Sequence, residues 1–75
     1  MKVKELLSVL CDSNMVSIYY TGDRGYATII DTWDNPNAVP WRYADCAVEE
    51  FNCLSHSCDI WITREDLAQQ GIIEP

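Results

Sequence analysis

The segment CDIWIT, residues 58–63, alternates without a fault. Cys58, Ile60 and Ile62 fall to one side of an extended chain, and Asp59, Trp61 and Thr63 to the other. A helix would scatter the three apolar residues around its circumference. A strand collects them on one face, so the pattern requires a sheet with one side buried. The segment MVSIYY, residues 15–20, repeats the requirement, with Val16, Ile18 and Tyr20 alternating with Met15, Ser17 and Tyr19. Both strands must be accommodated in 75 residues, which is one domain spanning 1–75 with a single small core.

The other segments fit around these strands. Val3, Leu6, Leu7 and Leu10 make one apolar helix stripe, and the cluster CDSN ends it. TGDRG is a turn, and YATIIDTW after it is rich in β-branched and aromatic residues. A hairpin closed by TGDRG is expected to set Tyr20 against Tyr26, Ile18 against Thr28 and Val16 against Ile30. The opposite face then carries Tyr19, Ala27, Ile29, Asp31 and Trp33. DNPNAVP is a loop. WRYADCAVEEFNCLS admits two readings. A helix would align Trp41, Ala44, Val48 and Phe51. A strand would turn Val48, Phe51 and Cys53 inward, given one bulge between Val48 and Phe51. The reading adopted is a short helix or turn over residues 40–45, then a strand from about 47 to 54. Thr63 is a candidate N-cap for a last short helix, with Glu65 and Asp66 in its first turn and Gly71 at its end. The tail IIEP is expected to fray or to pack on an edge. The fold class expected is α+β: a small antiparallel sheet of about four strands, an N-terminal helix packed on one face and a short C-terminal helix.

Charge restricts the partners. Twelve acidic residues stand against five basic ones, for a net −7, and both lysines, Lys2 and Lys4, lie at the N-terminus. A body carrying only Arg24, Arg42 and Arg64 repels nucleic acid and anionic membrane and attracts basic surfaces. MKVKELLSVL is interrupted by Lys4 and Glu5 and does not read as a signal peptide, so a cytoplasmic location is expected.

Cys53, His56 and Cys58 are the residues that most resemble reagents. As zinc ligands, with Cys46 or Cys11 as a fourth, they lack any C-x2-C knuckle, and strand geometry turns neighbours to opposite faces. The set Cys46, Cys53, His56 and Cys58 defines a zinc-stabilised module as an alternative. As a nucleophile pair oriented by Asp59 they lack room for a substrate pocket. The expectation is no catalytic residue and no cofactor. If LSHS closes a hairpin, Cys53 and Cys58 stand opposite each other, and two reduced thiols packing as small apolar groups are expected in a reducing cytoplasm.

The face away from the first helix is the more informative one. Aromatics and carboxylates interleave on it, and the candidate partner-binding residues are Tyr19, Asp31, Trp33, Asp34, Glu49, Glu50, Asp59 and Trp61. The pieces VKELLSVL, VSIYY, VEEFNC and DIWIT, in that order, resemble the layout of small uncharacterised acidic α/β proteins of phages and gut bacteria, accessory proteins of the anti-defence, anti-CRISPR-like kind. That resemblance implies a mobile-element origin. Together with the charge it motivates the expected function: a non-catalytic inhibitor of a nucleic-acid-handling complex. Asp31, Asp34, Asp45, Glu49, Glu50 and Asp59 would stand in for phosphates in a basic groove. The expected partner is a protein with a basic surface, with no direct nucleic acid and no membrane. A homodimer or larger homo-oligomer, closed through the aromatic face, is the remaining alternative.

Overall fold

The computed structural model describes residues 1–22 and 24–74. In chain order the elements are α1 (Val3–Leu7), β1 (Met15–Thr21), β2 (Ala27–Trp33), the 3-10 turns η1 (Pro36–Ala38) and η2 (Trp41–Tyr43), β3 (Val48–Cys53), β4 (Ser57–Ile62) and α2 (Arg64–Gln69). The four strands form one sheet in the order β2-β1-β4-β3.

The sheet is mixed, which corrects the antiparallel expectation. Each hairpin is antiparallel, but β1 and β4 lie side by side and run parallel. The reason is packing. These are the two strands with the clean alternation, and placing them together sets Val16 beside Cys58 and Ile18 beside Ile60, all fully buried. Each of the two carries its antiparallel hairpin partner on its outer side. β2 and β3 are the opposite edges, so residues 34–47 must pass from one side of the sheet to the other. They carry Pro36, Tyr43 and Cys46 into burial on the way. Val3 and Leu6 of α1 and Leu67 of α2 complete the buried cluster, and Leu7, Leu10, Ile72 and Ile73 pack against it.

Several local expectations hold. The strand reading of residues 47–54 holds within a residue at each end, and η2 lies inside the expected turn. The bulge expected between Val48 and Phe51 falls at Glu49. The Thr63 side chain accepts a hydrogen bond from the Asp66 N–H at 3.2 Å, which caps α2. Gly71, at φ +71°, ends the helix in the left-handed region that glycine tolerates best. α1 is shorter than its stripe, so Leu10 lies beyond the helix.

The first hairpin departs from the expected register. Tyr20 pairs with Thr28, Tyr19 with Ile29, Ile18 with Asp31 and Val16 with Trp33. Two causes combine. Gly22 N–H donates to the Tyr26 carbonyl at 2.9 Å, which keeps Tyr26 in the turn and starts β2 at Ala27. Ile30 is then an extra residue between the pairs at Ile18 and Tyr19, a bulge that shifts everything after it by one place. Asp23, inside the expected TGDRG turn, lies outside the described residues, as does Pro75 of the IIEP tail.

Ile60 is fully buried and has Ile18 beside it on β1, so Ile60→Ala should cost about 2–5 kcal/mol through lost burial and the cavity left behind. Ile29, 52% exposed on edge strand β2, should change stability by about 0.5 kcal/mol or less when replaced by alanine. Urea unfolding of the two variants measures the contrast, and equal losses would contradict the placement of the core.

Candidate functional site

Register fixes what shares a face. Residues opposite one another on neighbouring strands project to the same side of the sheet. The series Ile29–Tyr19–Trp61–Glu50 therefore forms one continuous row across all four strands, on the face opposite Ile18 and Ile60. Beside it runs a polar row, Thr32–Ser17–Asp59–Asn52. The Ser17 and Thr32 hydroxyls bond across the first hairpin at 2.9 Å. Met15 extends the face at the start of β1 and is 43% exposed.

The centre of the first row is a stack. The Tyr19 and Trp61 rings lie 4.8 Å apart between centroids and 16° from parallel. Parallel strand pairing places both side chains level on adjacent strands, close enough for offset stacking, an arrangement worth about 0.5–1.5 kcal/mol beyond the area it covers. Both rings keep partial exposure. Of the expected contact residues, the structure thus brings together Tyr19, Trp61, Glu50 and Asp59.

It separates the others. Asp31 and Trp33 leave this face because the Ile30 bulge turns the end of β2 over. Trp33 packs against the core and meets the Tyr43 ring edge-on at 5.4 Å, and Asp31 pairs with Ile18. Asp34 is exposed in the bend after β2. Glu49 is the extra residue of the β3 bulge and has no partner on β4. Asp45 is engaged with cations. Lys4 Nζ stands 3.1 Å from its carboxylate and Lys2 Nζ 3.9 Å, and the two lysines hold its pKa below the usual carboxylate value. Sequence reasoning missed Thr32 as a member of this surface, because nothing in the alternation reveals which residue of β2 is the bulge; Ser17 and Asn52 share the face by plain alternation with Tyr19 and Glu50. The 86% exposure of Trp41 was equally hidden, since a 3-10 turn has no strong period.

The cysteines are not a reagent cluster. Cys53 and Cys58 face each other across the β3–β4 hairpin as expected, but they are joined in a disulfide, which corrects the expectation of two free thiols. The cause is register, because directly opposed cysteines bring their Cβ atoms within bridging reach. His56 is exposed in the turn, and its carbonyl accepts the Met15 N–H at 2.9 Å. Cys46 is buried elsewhere, with its Sγ 3.9 Å from the Arg42 carbonyl. The alternative ligand set Cys46, Cys53, His56 and Cys58 is therefore not assembled, and no group of three or more His, Cys, Asp or Glu among the described residues is placed to hold a metal ion. Among the described residues, no helix is long and apolar enough to cross a membrane.

Two buried groups titrate away from their ordinary values. Burial raises the Tyr43 phenol, with nearby Arg42 opposing and Asp31 reinforcing the shift. Burial also raises the Cys46 thiol, and Asp66 and Asp45 add to it. Both groups are held neutral by the fold. Their contribution to stability is complete below the unfolded values and is lost as pH rises through the higher folded ones. Unfolding midpoints should fall once pH passes about 8.5, the free thiol value, and fall further past about 10, the free phenol value. Tyr43→Phe should flatten the upper part of that decline. An unchanged slope in this variant would assign the alkaline loss to other groups.

Thiol counting checks the pairing. Alkylation of the denatured, unreduced chain should modify two cysteines, Cys11 and Cys46, and reduction should release the other two. Four modified cysteines without reductant would show the bridge to be open. Searches of protein-family models, curated proteins and solved structures find no match to this chain.

Proposed function

We propose that this chain is a non-catalytic protein-binding protein of phage or mobile-element origin. In this reading it acts in the cytoplasm as an inhibitor of a host nucleic-acid-handling complex, laying an acidic and aromatic surface into a basic groove. The observation that carries the reading is the Ile29–Tyr19–Trp61–Glu50 row, an apolar and aromatic series ending in a carboxylate on the side of the sheet opposite Ile18 and Ile60. On this view α1 and residues 34–47 cover the other side and leave this row free for a partner. Aromatic residues supply the desolvated anchor of a contact, and carboxylates steer the encounter and mimic phosphate spacing. A net charge of −7 selects a basic partner.

The reading does not depend on the disulfide. Cys53 and Cys58 pair next to the Phe51–Ile60 register position, on the side away from Trp61, so opening the bridge in a reducing compartment leaves the row in place. The same exposed row supports a second reading, a homodimer closed through Ile29, Tyr19 and Trp61. Self-association must overcome repulsion between two chains of −7 each, which ranks it second.

The test is displacement of DNA from RNA-guided nucleases and other nucleic-acid-handling effectors by the purified chain. Inhibition should weaken about tenfold or more between roughly 50 and 200 mM salt, as expected when several charge contacts are screened. Inhibition unchanged across that range removes the mimicry reading, as does failure to displace DNA from any effector. A dimer mass by light scattering, lost in Trp61→Asp, would favour the second reading.

A further inference from the structure

We infer that the outer face holds an arginine-anchoring slot, formed by the indole of Trp61 with the carboxylates of Glu50 and Asp59, which receives a guanidinium presented by the partner. This inference rests on the partner-binding reading and names the chemistry of its anchor.

The geometry builds the slot from three directions. β4 lies between β1 and β3, and Tyr19 on β1 stacks on one face of the Trp61 ring. The other face of the indole therefore turns toward β3, where Glu50 is its register partner. Cross-strand partners stand about 4.5–5.5 Å apart at Cβ, so the glutamate reaches the rim of the ring. Asp59 precedes Trp61 by two residues, on the same face of the same strand. Its diagonal separation from Glu50, about 7–8 Å, is within reach of long side chains. A flat group lying on the indole thus has one carboxylate on each of two sides.

Charge selects the occupant. No strand residue of this face is cationic: the row and its polar neighbour hold Ile29, Tyr19, Trp61, Thr32, Ser17 and Asn52 besides the two acids. Lys2 and Lys4 are committed to Asp45, and the Arg42 guanidinium lies 5.7 Å from the Tyr43 ring centroid. Among the described residues neither Glu50 nor Asp59 is in an ion pair. Two carboxylates without an ion-pair partner among the described residues, beside a partly exposed indole, attract a cation. Arginine fits better than lysine, because its planar guanidinium stacks on the ring while its N–H groups fork to both acids.

The test titrates tetra-arginine, tetralysine and tetracitrulline amides into the isotope-labelled full chain and follows the three tryptophan indole N–H signals. The expected result is a shift at Trp61, affinity for tetra-arginine about fivefold above tetralysine, and no response to tetracitrulline. Glu50→Gln and Asp59→Asn should each weaken tetra-arginine about threefold. Trp61→Phe should retain most binding, and Trp61→Leu should lose about fivefold. Trp61 supports a stack and its variants can lose fold, so Glu50→Gln, on an exposed edge strand, carries the test alone if they do. Equal affinity for arginine and lysine peptides, or an unmoved Trp61 signal, overturns the slot. Effector inhibition that survives Glu50→Gln with Trp61 unmoved leaves the inhibitor reading standing and removes the anchor. Arginine-selective binding at Trp61 without inhibition of any effector keeps the anchor and removes the inhibitor reading.

Discussion

Every other feature of the molecule depends on the parallel seam between β1 and β4. It joins two hairpins that share no turn, and it sets Val16 beside Cys58 and Ile18 beside Ile60 at the centre of the core. The same seam levels Tyr19 with Trp61 on the reverse side. The buried core and the ring stack are therefore two faces of one pairing. A slip of one residue would expose the isoleucines and bury the ring stack, so the hydrophobic cost of an error protects the register of the surface.

A second device places β3. The backbone of residues 44–48 is tied on two sides: Val3 N–H donates to the Cys46 carbonyl and Lys4 N–H to the Ala44 carbonyl, each at 3.0 Å, and Val48 N–H to the Met1 carbonyl at 2.8 Å. From α2, the Asp66 carboxylate accepts the Ala47 N–H at 2.7 Å. These bonds fix where β3 begins. The Glu49 bulge then sets Glu50 against Trp61. Asp66 also lies in the first turn of α2, where a carboxylate is favoured, so one side chain serves the helix start and the strand start.

What could be read from the chain follows the strength of its periodic signals. The buried faces of CDIWIT and MVSIYY were legible, because three apolar residues alternating in a row are scattered around a helix and collected on one face of a strand. The position of the β3 bulge was legible because Val48, Phe51 and Cys53 cannot share one side of the strand without one, but the inward burial expected with it is not found: on this edge strand Phe51 is 47% exposed and Cys53 is exposed too. The β2 bulge was not legible: in ATIIDTW, Ile29 and Ile30 are both apolar, and either could be the extra residue. That ambiguity misplaced Asp31 and Trp33 while leaving Tyr19, Glu50, Asp59 and Trp61 together. The parallel seam was equally hidden. Adjacency of β1 and β4 arises from contacts between distant segments, and no local pattern encodes it. The cysteine bridge was half legible, since facing positions follow from the hairpin but oxidation does not.

The two bulges sit on the two edge strands, and this has a consequence for the behaviour of the molecule in concentrated solution. An open sheet edge offers unpaired N–H and C=O groups on which another chain can build. In β2 the Ile30 bulge interrupts the regular spacing of those groups, and in β3 the Glu49 bulge does so with a second glutamate, Glu50, next to it. Growth of strand upon strand into a fibre meets a kinked template at one margin and a kinked, charged one at the other. A sheet with an exposed Ile29 and a partly exposed ring stack is in this way guarded at both margins against polymerisation.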